Sequence, residues 1–322
     1  MRLSYSMIMT SHPPAGTCVA IVAPGGYAAD GNALPRAVSA LQSCGCFVKL
    51  YHDPAERHLR FGGDDETRLA RLHAAAADPE VDIVLALRGG YGMSRLLHAI
   101  DFPMLAASGK LFVGHSDFTA LHLGLLARTG AVSFAGPMIC DDFSREEPSG
   151  FTLQRFWQCV SASACAIEFS SPGSSPADLT GTLWGGNLTM VTHLLGTPYF
   201  PVVEGGILFL EDVNEHPYRV ERMLLQLWHS GVLARQKAIV LGDFSAYRLS
   251  DYDNGYDFDA MLRYLGGTLG LPVWTGLPFG HTRDKVTLPV GGVGRLVSDG
   301  VACRLELAGY PSLGGSGNVM RR

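Results

Sequence analysis

No apolar run in this 322-residue chain approaches the ~20 residues needed to cross a bilayer, and that sets aside a membrane-spanning role. Neither sign of charge is in large excess. With 25 Lys and Arg against 30 Asp and Glu, the net charge of −5 leaves no basic footprint for nucleic acid or for an anionic membrane surface. Motifs that announce a cofactor are missing too. There is no H-E-x-x-H and no C-x-x-C, and the glycine-rich stretches lack both G-x-G-x-x-G and the G-K-[ST] ending. No motif therefore calls for a metal or another cofactor. The cysteines (Cys18, Cys44, Cys46, Cys140, Cys159, Cys165 and Cys303) are odd in number and fit no zinc or disulfide framework. They read as reduced thiols, several of them in the core, in a reducing cytoplasm. The segment Met1–Thr10 is too short and too weakly apolar for a secretory leader; it reads as an extension, with Met7 or Met9 as alternative starts.

What the chain has instead is alternation. Cys18–Ala23 and Val81–Leu87 are short apolar runs, each expected as a buried strand, and Phe47–Leu50 is expected as a strand between them. Helical spacing separates them over 32–41, 64–77 and 94–100. This predicts an α/β domain with a mainly parallel sheet flanked by helices. Its strands end in Pro24-Gly25-Gly26, in Arg88-Gly89-Gly90-Tyr91-Gly92 and at Gly114-His115-Ser116-Asp117, so these three turns share the carboxyl edge where such sheets hold their sites. Pro, Ser and Gly cluster at Ser170–Pro176. The expected division is an N-terminal domain over 11–150, a linker over 151–178 and a C-terminal α+β domain rich in β-structure over 179–310. In the latter, Asn187 is an expected N-cap, Gly206–Leu210 an expected strand ending at Glu211, and Val220, Met223, Leu224, Leu227 and Trp228 a core-facing helical stripe.

Ser116 is the first candidate for chemistry. A serine between an apolar strand and an apolar helix stands clear of the sheet, with helix N–H groups pointing back toward it. Gly114 leaves room for the turn, but Phe118 stands where the second glycine of a G-x-S-x-G elbow would be. On these residues alone Ser116 is either a nucleophile or an N-cap. A nucleophile needs a base and an orienter. Glu211 at a strand end and His281 in the Pro278–Arg283 loop give the order Ser116, Glu211, His281. His115 and Asp117 are set aside as partners, because immediate neighbours of Ser116 point elsewhere. The Arg88–Gly92 turn has three readings: a phosphate cradle, a donor of an oxyanion N–H, or a plain tight turn. The acids of Glu211–His216 crowd one short segment and lack a second histidine cluster, which argues against a metal there.

Taken together and in order, Ala86–Gly92, Gly114–Ala120, Gly136-Pro137-Met138, Gly181–Leu188, Leu210–Pro217 and Phe279-Gly280-His281 resemble the LD-carboxypeptidases, serine peptidases of family S66. The resemblance runs from about Ile21 to Leu307. It implies a triad of Ser116, Glu211 and His281, with oxyanion donors at the backbone N–H groups of Asp117 and Gly90. It further implies that terminal D-alanine is released from the murein tetrapeptide L-Ala-D-Glu-meso-diaminopimelate-D-Ala, in the cytoplasm, by a homodimer engaged in peptidoglycan recycling. A site in a cleft between the domains is expected, with Arg88 clamping the substrate carboxylate and Trp184 and Asn187 as cleft walls. The ends, Met1–Thr10 and Pro311–Arg322, have no counterpart in the family pattern. Two rivals stand beside this reading: a related peptidase that hydrolyses peptidyl-nucleotide antibiotics for self-immunity, and a non-enzymatic muropeptide-binding protein.

Overall fold

The computed structural model describes residues 12–314, so the N-terminal extension and the last eight positions lie outside it. Its strands are β1 Cys18–Val22, β2 Phe47–Tyr51, β3 Ile83–Ala86, β4 Leu111–Gly114, β5 Ser133–Ala135, β6 Cys165–Ser170, β7 Ala177–Asn187, β8 Gly206–Val213, β9 Gln236–Ser245, β10 Val273–Trp274, β11 Leu288–Val290, β12 Val293–Ser298 and β13 Ala302–Ala308.

Two sheets result, a six-stranded one in the order β11-β5-β4-β3-β1-β2 and a seven-stranded one in the order β10-β9-β8-β7-β12-β13-β6. In the first, β1 to β5 run parallel and β11 closes one edge antiparallel to β5. Every residue of β1, β3 and β4 is buried, as continuous apolar strands covered on both faces require. The order reverses between β1 and β3, and the two glycine turns meet there: the Gly26 N–H donates to the Gly89 carbonyl at 3.0 Å. In the second sheet β7 to β10 run parallel, while β12, β13 and β6 form an antiparallel extension. The long β7 spans both parts, pairing with β12 through its first half and with β8 through its second.

Two expectations change. The stretch 151–178 is not a plain linker. It carries most of the helix Gly150–Ser161, capped by Ser149, and all of β6, which belongs to the second sheet. Leu153, Phe156, Trp157 and Val160 fall at helical spacing, and Phe156, Trp157 and Val160 are fully packed, so burial overrides the loop-like flanks. Only Ser171–Pro176 runs as a connector. The tail also crosses back. Residues within the expected C-terminal domain supply β11 to the first sheet, where Pro289 is tolerated because an edge strand can spare a donor. The chain after His281 thereby ties the two sheets together.

Candidate active site

At the end of β4 the chain turns sharply, and Ser116 takes φ +60°, a left-handed conformation that L-residues with a side chain adopt at a cost. The residues around it explain how the turn is held. A Cβ at Gly114 would lie 2.8 Å from the Phe118 ring and 2.9 Å from Ala86 Cβ. The glycine therefore makes room for Phe118, which fills the space under the turn in place of the expected second glycine. Asp117 is buried, and its Oδ2 accepts the Met93 N–H at 2.9 Å, bracing the serine turn against the glycine-rich one. Burial pushes this carboxyl up to about 6, against the opposing pull of the Met93 N–H and of Arg68 and Arg60.

A Cβ at Gly89 would sit 2.8 Å from Ser116 Oγ and 3.4 Å from the Asp117 nitrogen. The absent side chain thus lets the Gly89-Gly90 turn come close to the serine hydroxyl and the Asp117 nitrogen, where a Cβ would also press on Ser116 Cβ at 2.7 Å. An oxyanion formed by attack from Ser116 would develop beside this close approach. Gly89→Ala is expected to displace the serine and lower kcat by roughly two to three orders of magnitude while the protein stays folded. Steady-state kinetics beside a thermal melt checks this, and an unchanged kcat would show that this close approach plays no part in the reaction.

From the second sheet, β8 delivers Glu211, fully buried, and its Oε2 accepts the His281 Nδ1–H at 2.7 Å. The imidazole is one-fifth exposed, so part of the ring is open to solvent. Its ring stands edge-on to that of His115, with centroids 5.2 Å apart, which brings it up to the serine turn. Burial is the largest single influence on His281 and lowers its pKa. The hydrogen bond and charge of Glu211, helped by Asp141 and opposed by Lys285, overcome it, and the net shift is upward. His115 is driven well below its ordinary value, first by burial, and is neutral; its Nδ1 donates to the Gly136 carbonyl at 2.9 Å.

Asn187 and Trp184, expected as cleft walls, are placed otherwise. Trp184 is fully buried in the second sheet, and its indole N–H donates to Gln236 Oε1 at 2.8 Å. It faces inward because β7 is covered on both sides there, so it lines no cleft. Asn187 is buried as well and acts as a brace. Its N–H donates to Thr119 Oγ1 at 3.1 Å, on the helix that follows Ser116. Its Nδ2 donates to Glu211 Oε1 at 3.2 Å and to Asp212 Oδ1 at 3.0 Å. One residue thus links the serine helix, through its backbone N–H, to the carboxylate paired with His281, through its side chain, and its Oδ1 caps the helix Leu188–His193 besides. Arg88 is half-buried, and one of its guanidinium nitrogens donates to the Tyr27 carbonyl at 3.3 Å. The acids near Glu211 are engaged: Asp212 Oδ2 accepts from the N–H and hydroxyl of Thr189, and His216 caps the helix Pro217–His229. Among the described residues no three His, Cys, Asp or Glu side chains are grouped to hold a metal.

The sequence reading missed the group that fixes the His281 segment. Lys285 Nζ meets Asp142 Oδ1 at 2.7 Å with both side chains almost fully buried. The Lys285 N–H donates to Thr152 Oγ1 at 3.0 Å, and Ser149 Oγ donates to Asp284 at 2.5 Å. A lysine opening an otherwise apolar stretch, Lys285 to Val290, was the available signal. Removing one partner strands the other charge in the interior. Lys285→Met alone is expected to cost about 3–5 kcal/mol, with much of it regained in Lys285→Met/Asp142→Leu. Urea unfolding of both variants checks this, and equal losses would mean the charges are not coupled.

The comparisons agree with this fold. Residues 19–136 match the LD-carboxypeptidase N-terminal domain, and residues 180–296 match the LD-carboxypeptidase C-terminal domain. A probable murein peptide carboxypeptidase of Bacillus subtilis is 33% identical over 86% of this chain and 87% of its own. The chain belongs to the LD-carboxypeptidase family. A solved structure of muramoyltetrapeptide carboxypeptidase from Oxalobacter formigenes is 54% identical, covers 92% of this chain and 100% of that one, and superposes with a TM-score of 0.89. The microcin C7 self-immunity protein MccF shares the fold at 22% identity, with a TM-score of 0.84 over 94% of this chain and 99% of that one. This LD-carboxypeptidase is thus a peptidase, a hydrolase of peptide bonds. Among its described residues no helix is long and apolar enough to cross a membrane.

Proposed function

We propose that the chain is a serine LD-carboxypeptidase that releases terminal D-alanine from the murein tetrapeptide L-Ala-D-Glu-meso-diaminopimelate-D-Ala. One observation carries this reading: a serine held at φ +60° in close contact with a glycine turn that leaves no room for a side chain, with a histidine already paired to a buried glutamate packed against the same turn. In the proposed reaction His281 takes the Ser116 proton as Oγ attacks the carbonyl at the L-centre of the diamino acid. Glu211 holds the Nδ1–H tautomer and stabilises the imidazolium. The N–H groups of Asp117 and Gly90 receive the oxyanion, and Arg88 clamps the carboxylate of the departing D-alanine. His281 returns its proton to the leaving amine. Water, activated by the same imidazole, then frees the acyl group and restores the serine.

The relatives named for murein peptides and muramoyltetrapeptide support this substrate. With it go peptidoglycan recycling, a cytoplasmic location and a homodimer, all parts of the same proposal. The test is a panel of murein tetrapeptide, the pentapeptide ending in D-Ala-D-Ala, and aspartyl sulfamoyl adenosine. D-Alanine from the tetrapeptide alone is the expected result. Cleavage of the nucleotide conjugate in its place would overturn the substrate, and tight muropeptide binding without any turnover would overturn the enzyme.

A further inference from the structure

Next to Arg88, the residue before the Gly89-Gly90 turn, lies a cavity of about 390 Å³, lined by Asp30, Arg36, Arg88, Asp141, Ser144 and Arg145 together with Ala29, Ala33 and Cys140. Its position is fixed by the chain. The Cys140 N–H donates to the Leu87 carbonyl at 2.8 Å, seating the turn Ile139–Phe143 on the end of β3, directly before Arg88. Asp142, two residues after Cys140, is the buried partner of Lys285 in the segment that carries His281. Through Arg88 the cavity adjoins the glycine-rich turn in the chain, and through Asp141 it adjoins the residue that anchors the His281 segment; the charge of Asp141 is felt at His281.

The charges lining it do not cancel. Asp30 and Arg36 are paired at 2.5 Å, and Arg36 Nε also donates to the Ser144 carbonyl. That pair is spent. Arg88 contacts only the Tyr27 carbonyl, and Arg145 only the Asp141 carbonyl, while the Asp141 carboxylate meets no donor among the described residues. Two cations and one anion are left facing the space. Around its scissile bond the substrate proposed above carries the complement: the terminal carboxylate of D-alanine, and, at the end of a three-carbon arm, an ammonium and a second carboxylate on one carbon. With Arg88 assigned to the terminal carboxylate, one arginine and one aspartate match the far zwitterion.

We propose that this cavity is the subsite for the far, amino-acid end of the diamino acid, with Asp141 taking its ammonium and Arg145 its carboxylate. A cavity of this volume accommodates such an arm. Both partners are charged, so each contact gains from charge-assisted hydrogen bonding, and a substrate lacking either group leaves an opposite charge unmatched. The enzyme then selects for the third residue of the stem as well as for the terminal D-alanine.

The inference rests on the carboxypeptidase reading, and the experiment separates the two. D-Alanine release is measured on tetrapeptides whose third residue is meso-diaminopimelate, its far-carboxamide form, its far-deamino form, or L-lysine. The wild type is expected to favour the meso-diaminopimelate peptide roughly ten- to hundredfold in kcat/KM, mainly through KM. Arg145→Gln should bring the acid-to-carboxamide ratio close to one. Asp141→Asn should do the same for the amino-to-deamino ratio. Equal wild-type kcat/KM across the panel overturns the subsite and leaves the carboxypeptidase standing. Discrimination that persists in both variants moves the subsite elsewhere. No release from any member of the panel removes the reading on which the subsite rests.

Discussion

Replacing Ser116 by alanine is expected to lower kcat for D-alanine release by roughly four to six orders of magnitude, the loss typical of a removed serine nucleophile. The backbone makes a second, separable forecast. Ser116 sits at φ +60° and alanine keeps the Cβ that makes this conformation costly, whereas glycine does not. Ser116→Gly should therefore be as inactive as Ser116→Ala but more stable by about 1 kcal/mol, the size of one left-handed residue's strain. Denaturant unfolding of the two variants reads the difference. Full release by the alanine variant would exclude attack by Ser116. A glycine variant no more stable than the alanine one would mean that the turn carries no strain, and that position, not conformational tension, exposes the hydroxyl.

Much of the fold could be read from the residues because burial acted uniformly. The central strands β1, β3 and β4 are continuous apolar runs, and a parallel sheet with both faces covered produces that pattern and little else. Where the reading failed, tertiary contacts had overridden local composition. The helix Gly150–Ser161 lies between stretches rich in serine, proline and glycine, and its helicity rests on Phe156, Trp157 and Val160 entering the core. The strand β11 is three residues long and contains a proline, so nothing local says to which sheet it belongs; Leu288 and Val290 are simply buried beside β5.

The candidate site was legible to the extent that it depends on residue type at strand ends. Glu211 follows an apolar strand and His281 lies in a glycine-proline loop, and the structure joins them across seventy positions by a 2.7 Å hydrogen bond. No spacing rule contains that contact. Trp184 and Asn187 show the opposite limit. Both stand in a glycine-rich motif near the site, yet one faces inward to Gln236 and the other braces Glu211 against Thr119. Which side of a strand a residue faces depends on what covers each side, and sequence alone does not carry that for a doubly covered sheet. Lys285 carried a signal, as a lysine opening a mostly apolar stretch, but its pairing with Asp142 did not: Asp142 looks like an ordinary surface charge until the lysine is placed beside it.

Glu211→Gln should separate positioning from proton affinity. His281 must be neutral to accept the serine proton, so kcat/KM rises with pH as the imidazolium loses its proton. In the wild type that rise is expected above the ordinary histidine value of 6.5, because Glu211, with Asp141, outweighs the lowering effects of burial and Lys285. An amide at position 211 keeps the shape but removes the charge and supports the wrong tautomer. The plateau should fall by roughly four orders of magnitude, while the acid limb moves to lower pH. Stability should respond in the opposite sense. A folded-state pKa raised above 6.5 means that the pair stabilises the protein fully below that pH and loses its contribution as pH climbs through the folded value. The wild-type enzyme therefore gains activity and sheds a little stability over the same interval, and the glutamine variant should flatten both trends. A pH–rate profile combined with unfolding at matched pH decides the matter. An acid limb that stays in place in Glu211→Gln would show that another group sets the proton affinity of the base. A flattened stability curve without a fallen plateau would assign Glu211 to the fold alone.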